Sequence, residues 1–340
     1  MPDSPGGPAT APAALGIPEL SIIVVTWNCR ALALRCLAEI AASRIGMAYE
    51  VLVVDNASQD GTADAIAASF AAAQLIRSAE NLGYARANNL AIERAAGRYL
   101  LLLNPDAFPS DAGSFARLVG FLEAHSEFAA AGCRLVYGDG RHQVGDAGYR
   151  PSALNVVIHA LGISQFLPGG HGLFVVRPRP EPGRIVDVDW ICGACLLVRA
   201  EAVRRFGALD ASYFMYAEDV EFGCRLRDNG QRLAYLPGEW VIHLQGGTQG
   251  NAGASAAWLD NLGRLYARLN GGRHWFVFRA AMALGFGLRA VIYHAIGRLP
   301  GRGHLVGRAR AMARYGCHGW RMAAPTVLAG RTPGHGKGDP

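Results

Sequence analysis

The sequence predicts an α/β protein: a mostly parallel sheet flanked by helices, followed by a helical, basic C-terminal extension. Three observations predict it. From Leu20 to about Arg134, short apolar runs of strand length alternate with helix-length segments, the order that builds parallel sheets with helices on both faces. Polar residues close each apolar run at its carboxyl end, where open α/β sheets place their ligands. The last stretch is apolar and strongly basic: residues 260–340 carry thirteen Arg or Lys and two acids, a balance of +11, against −5 for the rest.

The elements follow in order. Residues 1–19, "MPDSPGGPATAPAALGIPE", are rich in Pro, Gly and Ala, with no basic start or apolar core, and read as a tail, not a signal peptide. "LSIIVVTWN" is a strand, and "RALALRCLAEIAAS" has apolar residues at helical spacing. "YEVLVVDNASQDGT" is a second strand running into a turn and an alanine-rich helix. A short strand and a helix lie within "AQLIRSAENLGYARANNLAIERAAG", and "RYLLLLNPD" is the next strand. From Pro151 to Asp187, Gly and Pro clusters suggest a variable loop region. Order returns with "VDVDWICGACLLVR", "AEAVRRFG", "DASYFMYAEDVEFGCRLRDNG" and the strand "RLAYLPGEWVIHL". The expected division is a tail over 1–19, a catalytic domain over 20–247 with halves at 20–134 and 135–247, and a helical extension over 248–340.

Composition excludes several classes. At 340 residues and 51% hydrophobic content the chain supports a sizeable core and is not disordered. Seven cysteines, an odd number scattered from Cys29 to Cys317, do not form a disulfide framework and suit a reducing cytoplasm. Cys192 and Cys195 sit inside an apolar, strand-like run, whereas a redox CxxC opens a helix, and no second ligand pair accompanies them for zinc. The basic segment has a single Lys and is apolar between its arginines, against a nucleic-acid partner.

Five polar clusters are candidates for chemistry. The apolar run at Leu100–Leu103 stops at Asn104-Pro105-Asp106. Proline has no N–H for the ladder and pushes the preceding residue into an extended conformation, so the Asp106 carboxylate is held at the end of a buried strand. Thr26-Trp27-Asn28, Asp55-Asn56 and His243 also follow strands. Each alone can be a turn or a helix cap, but loops at one sheet end converge on one crevice. Glu218 and Asp219 head a helical segment; the pair suits the positive end of a helix dipole, and a desolvated carboxylate beside another acid has the raised proton affinity of a general base. No GxxxxGK[ST] or GxGxxG run is present. A bound diphosphate is then neutralised most simply by a divalent metal on an isolated carboxylate such as Asp106.

The ordered set "SIIVVTWN", "VLVVDNASQDGT", "ENLGYARANN", "YLLLLNPDA", "GACLLVR", "FMYAEDVEFGCRLRDNG" and "VIHLQGG" resembles the inverting family 2 glycosyltransferases, particularly the rhamnosyltransferase-like branch, from about Leu20 to Gly247. The resemblance implies the GT-A fold and a Mg²⁺ or Mn²⁺ cofactor. It assigns Thr26, Asn28, Asp55, Arg86 and Asn104 to the donor nucleotide, Asp106 and His243 to the metal, Asp219 as catalytic base with Glu218 its neighbour, and Gly193, Ala194 and Trp190 to the acceptor or sugar. Asn104 stands where the general motif has its first Asp, and Trp27 and Cys192 where smaller residues are usual. The implied donor is a nucleotide-sugar, dTDP-rhamnose first and UDP- or GDP-sugars as alternatives. The acceptor is a saccharide or lipid-linked saccharide, with the enzyme peripheral on the inner face of the cell membrane. A binding module that keeps the fold without activity is the competing reading. Within the extension, "AAMALGFGL" is bounded by Arg279 and Arg289, too short to span a bilayer of about 20 residues' depth but suited to an anionic membrane surface.

Overall fold

The structure, a computed structural model, describes residues 18–167, 172–176, 178–244 and 257–323, the side chain of Arg273 aside. Most of the expected N-terminal tail and residues 324–340 lie outside the described residues. In chain order the strands are β1 (Leu20–Thr26), β2 (Tyr49–Asp55), β3 (Gln74–Arg77), β4 (Tyr99–Leu103), β5 (Ala107–Pro109), β6 (Phe128–Val136), β7 (Ala147–Gly148), β8 (Val186–Val188), β9 (Trp190–Ile191), β10 (Cys195–Arg199) and β11 (Arg232–His243). The helices are α1 (Arg30–Ala42), α2 (Thr62–Ser69), α3 (Gly83–Ile92), α4 (Ser114–Ala124), α5 (Ala153–Leu161), α6 (Ala200–Phe206), α7 (Glu218–Asp228), α8 (Ala257–Asn270), α9 (Trp275–Gly297) and α10 (His304–Arg321). The chain divides into two units, residues 1–150 with 164–255, and residues 151–163 with 256–340.

The first unit is built on one sheet of order β3-β2-β1-β4-β10-β6-β11-β5, with β8 paired to β11. β1 pairs in parallel with β2 and β4, β2 with β3, and β6 with β11. β10 runs antiparallel between β4 and β6, so its entry, at Cys195, lies at the same sheet end as the exits of β1, β2 and β4. The alternation of side chains is consistent with strands buried on both faces. Leu101 and Leu103 join one core with Ile22, Val24, Cys36, Leu37, Phe115 and Leu122. Leu100 and Leu102 join the opposite core with Ile23, Val54, Ala85, Ala87, Val203 and Phe222.

Two expectations are corrected. The stretch from Pro151, read as loop, contains α5, and it belongs to the second unit. Local signals explain the helix: Ser152 Oγ accepts the Asn155 N–H, Gly162 closes it at φ 72°, and Val156, Ile158 and Ala160 are buried. The Gly and Pro clusters farther along had obscured them. In the extension, Arg279 and Arg289 do not bound a short apolar segment; α9 runs 23 residues through both. Arginine is a good helix former, and both guanidinium groups reach sideways to carbonyls of neighbouring helices, Arg289 to His159 at 3.3 Å and Arg279 to Trp320.

Candidate active site

At the ends of β1 and β2, Thr26 and Asp55 are both buried and in register. Asp55 Oδ1 accepts from the Thr26 hydroxyl at 3.2 Å and Oδ2 from the Ser58 N–H at 3.0 Å, which leaves each oxygen a further lone pair. Asp55 therefore does not cap α2. Asn28, at φ 46°, turns the chain so that its Oδ1 accepts the Gln59 N–H at 2.7 Å and its N–H meets Ser58 Oγ at 2.9 Å. The β1 and β2 loops are thereby tied into one rim. Exposed Arg86 stands on the first turn of α3.

Beyond β4, Pro105 turns the chain so that β5 pairs with the last residues of β11, Ala107 opposite His243. Asp106 and His243 are both buried, with His243 Nε2 3.2 Å from Asp106 Oδ1 and 3.3 Å from Asn104 Nδ2. His243 Nδ1 lies 2.7 Å from Gln143 Oε1. With the Gln143 amide in this orientation the proton sits on Nδ1, and the Nε2 lone pair faces Asn104 and the Asp106 carboxylate. Two electron-rich atoms side by side make a seat for a cation. Among the described residues no third His, Cys, Asp or Glu joins them. The set fits a Mg²⁺ or Mn²⁺ ion, which binds through one or two side chains plus substrate phosphates.

The third group surrounds Asp219. Tyr216 and Ala217 take left-handed backbone, φ 70° and 73°, immediately before α7, a costly conformation for non-glycine residues that accumulates at functional sites. It sets Glu218 and Asp219 in the first turn. Asp219, half-buried, accepts the Gly193 N–H on Oδ2 at 3.0 Å and the Val220 N–H on Oδ1 at 2.8 Å. Burial raises its proton affinity, and the backbone donors oppose that rise. Glu218 is more deeply buried, with Oε2 unpartnered. Burial and the neighbouring Asp219 charge push its carboxyl well above the usual carboxylate range, while Asp219 has two N–H donors that favour its charged form. The Tyr84 hydroxyl donates to the Gly193 carbonyl at 2.7 Å. A Cβ at 193 would stand 2.6 Å from Tyr84 Oη, so any larger residue there displaces the tyrosine ring.

The Asn104–Asp106–His243 group and the Asp219 group are joined by two consecutive residues: Gly193 donates to Asp219, and the Ala194 carbonyl accepts the Asn104 N–H at 3.0 Å. A hollow of about 190 Å³ lined by Arg117, Phe121, His125 and Glu239 lies elsewhere, and none of the site residues borders it.

Residues 21–160 match the family model described as Glycosyl transferase family 2. The N-acetylglucosaminyl-diphospho-decaprenol L-rhamnosyltransferase of Mycobacterium tuberculosis is 32% identical over 219 residues, 60% of this chain and 69% of that protein. The chain belongs to glycosyl transferase family 2. Rhamnosyltransferase WbbL of Escherichia coli K12 is 43% identical over 56 residues, 16% of this chain and 21% of its own. A mannosyltransferase from Pyrobaculum calidifontis, solved with GDP-Man and Mn²⁺, superposes with a TM-score of 0.51 at 20% identity, over 88% of this chain and 81% of that one. That likeness bears out the expected GT-A fold.

Within this family 2 glycosyltransferase the sugar-side assignments divide. Gly193 lies at the turn that meets Asp219. Trp190 is 2% exposed, its ring edge-on to Phe174 and its N–H bonded to the Tyr149 carbonyl at 3.2 Å. Trp190 and Ala194 are both buried, so their side chains support the loop from beneath. Tyr84 and Gln143 were not singled out from the sequence. Tyr84 lies inside "ENLGYARANN", so its neighbourhood was legible; Gln143, in the turn-rich "GDGRHQVGD", carries no spacing signal.

Proposed function

We propose that this glycosyltransferase moves L-rhamnose from dTDP-rhamnose to a hydroxyl of a lipid-linked saccharide, by one inverting displacement, in polysaccharide assembly at the cytoplasmic face of a membrane. The observation that carries the reading is the pair Gly193-Ala194, which ties the carboxylate suited to a general base to the residue beside the metal seat. The mycobacterial and E. coli relatives, both named as rhamnosyltransferases, support the sugar, and the mycobacterial name supports a lipid-diphosphate acceptor.

The chemistry follows from the side chains. Thr26, Asn28 and Asp55 hold the nucleoside, and Arg86 adds positive charge beside it. Asp106 and His243 would hold Mg²⁺ or Mn²⁺, which would supply positive charge beside the donor's diphosphate. Asp219 accepts the proton of the acceptor hydroxyl as that oxygen attacks the anomeric carbon from the face opposite the leaving group. The Gly193 and Val220 N–H groups fix the carboxylate's orientation, which serves near-attack geometry. Glu218, un-ionised, adds no second negative charge beside the incoming nucleophile.

The test supplies dTDP-rhamnose, UDP-sugars and GDP-sugars separately with a synthetic lipid-diphosphate saccharide and follows the product's anomeric configuration by NMR. Transfer from dTDP-rhamnose with inversion is the expected result. Transfer only from a UDP- or GDP-sugar rejects the donor, and retention rejects the mechanism.

A further inference from the structure

In the second unit, α9 is buried on one side only, and its two arginines, Arg279 and Arg289, bond to neighbouring helices, which leaves the rest of its circumference mostly apolar. Trp275, Phe278, Met282 and Phe286 face inward, whereas Leu284, Leu288, Val291 and Ile292 are 71%, 51%, 67% and 42% exposed. At 100° per residue these four fall on one stripe with Val277, Ala281 and Ala295, and no charged residue interrupts it. A helix apolar all round belongs in a core or in lipid. This one has a core on its inner side alone.

Three occupants compete for the outer face. The first is lipid on all sides, since α9 is the one helix among the described residues long and apolar enough to cross a membrane. Its packing argues against that. α5 lies so close that a Cβ at Gly285 would stand 2.6 Å from Ala160, and α10 packs on the Met282–Ala283 turn through Gly316 and Gly319. Spanning would draw α10, with exposed Arg308, Arg310, Arg314 and Arg321, into hydrocarbon. The second occupant is another copy of this chain. A two-fold contact sets a surface against itself, and the cations at the end of this stripe, Arg298 and Arg302, would then need acids from the same unit. The one acid among this unit's described residues, Asp260, is already bonded to His318 at 2.7 Å. The third is an anionic bilayer surface, which supplies apolar depth for the stripe and negative charge for the arginines.

We infer that the outer stripe of α9 lies in the plane of an anionic membrane, with Leu284, Leu288, Val291 and Ile292 entering the headgroup–acyl boundary. Arg298 and Arg302, exposed just past the helix end, meet headgroup phosphates, and the arginines of α10 add longer-range attraction. The inference rests on the membrane clause of the function proposed above and names the surface responsible.

The experiment is flotation of the full chain with phosphatidylcholine vesicles, with and without phosphatidylglycerol, alongside Leu284→Asp/Val291→Asp. Both positions are exposed, so the variant keeps the wild-type circular dichroism and dTDP binding. The wild type floats with the anionic vesicles and is released by high salt or alkaline carbonate. The double variant loses its bound fraction at least about tenfold. Wild type that stays at the bottom overturns both this inference and the membrane clause. A variant that floats as well as wild type overturns the α9 face alone. Resistance to carbonate makes α9 a spanning helix, and a lipid-free dimer dissociated by the variant makes the stripe a subunit interface; either result overturns the proposal.

Discussion

Tyr84 and Asp219, 135 positions apart, meet on opposite sides of one peptide residue: the Tyr84 hydroxyl donates to the Gly193 carbonyl at 2.7 Å, and the Gly193 N–H donates to Asp219 at 3.0 Å. The carboxylate's position is thus set from α3 as well as from its own helix. Tyr84 is itself anchored, its N–H donating to the Phe214 carbonyl at 2.7 Å in the loop before α7. Tyr84→Phe removes the hydroxyl and leaves the Gly193 carbonyl unpaired. The expected outcome is a stability loss of about 1 kcal/mol, with a several-fold fall in kcat and an unchanged Kd for the nucleoside diphosphate. Denaturant melts and single-turnover transfer measure the two effects; an unchanged kcat removes Tyr84 from the positioning of the base.

Asp219→Asn keeps the shape of the side chain and removes its ability to accept a proton. Transfer falls by about 10²-fold or more, while calorimetric binding of dTDP with Mn²⁺ persists. Transfer within tenfold of wild type rules Asp219 out as the base.

Glu218 gives a pH prediction with a definite sign. In the folded protein its carboxyl stays protonated above the range in which the unfolded chain ionises. Between those two pKa values the unfolded state binds fewer protons, so stability falls as pH rises across the window. Glu218→Gln lessens that fall, leaving the smaller part due to Asp219, and raises the melting temperature at neutral and alkaline pH relative to wild type. With Asp219 as the proposed base, the acid limb of the rate profile survives the substitution. Melting curves from pH 5 to 8.5 for both proteins check the first part, and loss of the acid limb would refute the second.

Asp106→Ala removes the carboxylate of the proposed metal seat. Affinity for dTDP measured with Mn²⁺ falls to the value measured in EDTA, whereas affinity in EDTA stays that of wild type. If EDTA changes neither affinity nor turnover of the wild type, no divalent ion works at Asp106 and His243.

Gln143 holds His243 by one hydrogen bond and sets which nitrogen carries the proton. Gln143→Ala frees the ring, and the expected consequence is a 10- to 100-fold weaker Mn²⁺ affinity, the usual scale for an outer partner of a metal-binding His. Titration of Mn²⁺ by electron paramagnetic resonance reads this without turnover; unchanged affinity makes Gln143 a packing residue only.

β1, β2 and β4 were legible because each is a largely apolar run closed by a turn, and burial leaves such a run no other use, whereas exposed β3 and three-residue β5 carry a weaker signal. The same pattern located Thr26, Asp55, Asn104 and Asp106, since a parallel strand's exit is fixed once the strand is. Glu218 and Asp219 were legible as acids at a helix start. What the local pattern did not carry is the contact of Asp219 with Gly193, brought against it by an antiparallel strand whose direction no local signal encodes. His243 marked a strand end, but its pairing with Asp106 depends on β5 folding back along β11, and its tautomer on Gln143, 100 positions away. The sequence likewise set the charge and apolarity of the extension, while Arg279 and Arg289 hid the length of α9. Propensity carries a helix through two arginines, but only neighbouring helices give their guanidinium groups partners and determine which face of α9 is left uncovered.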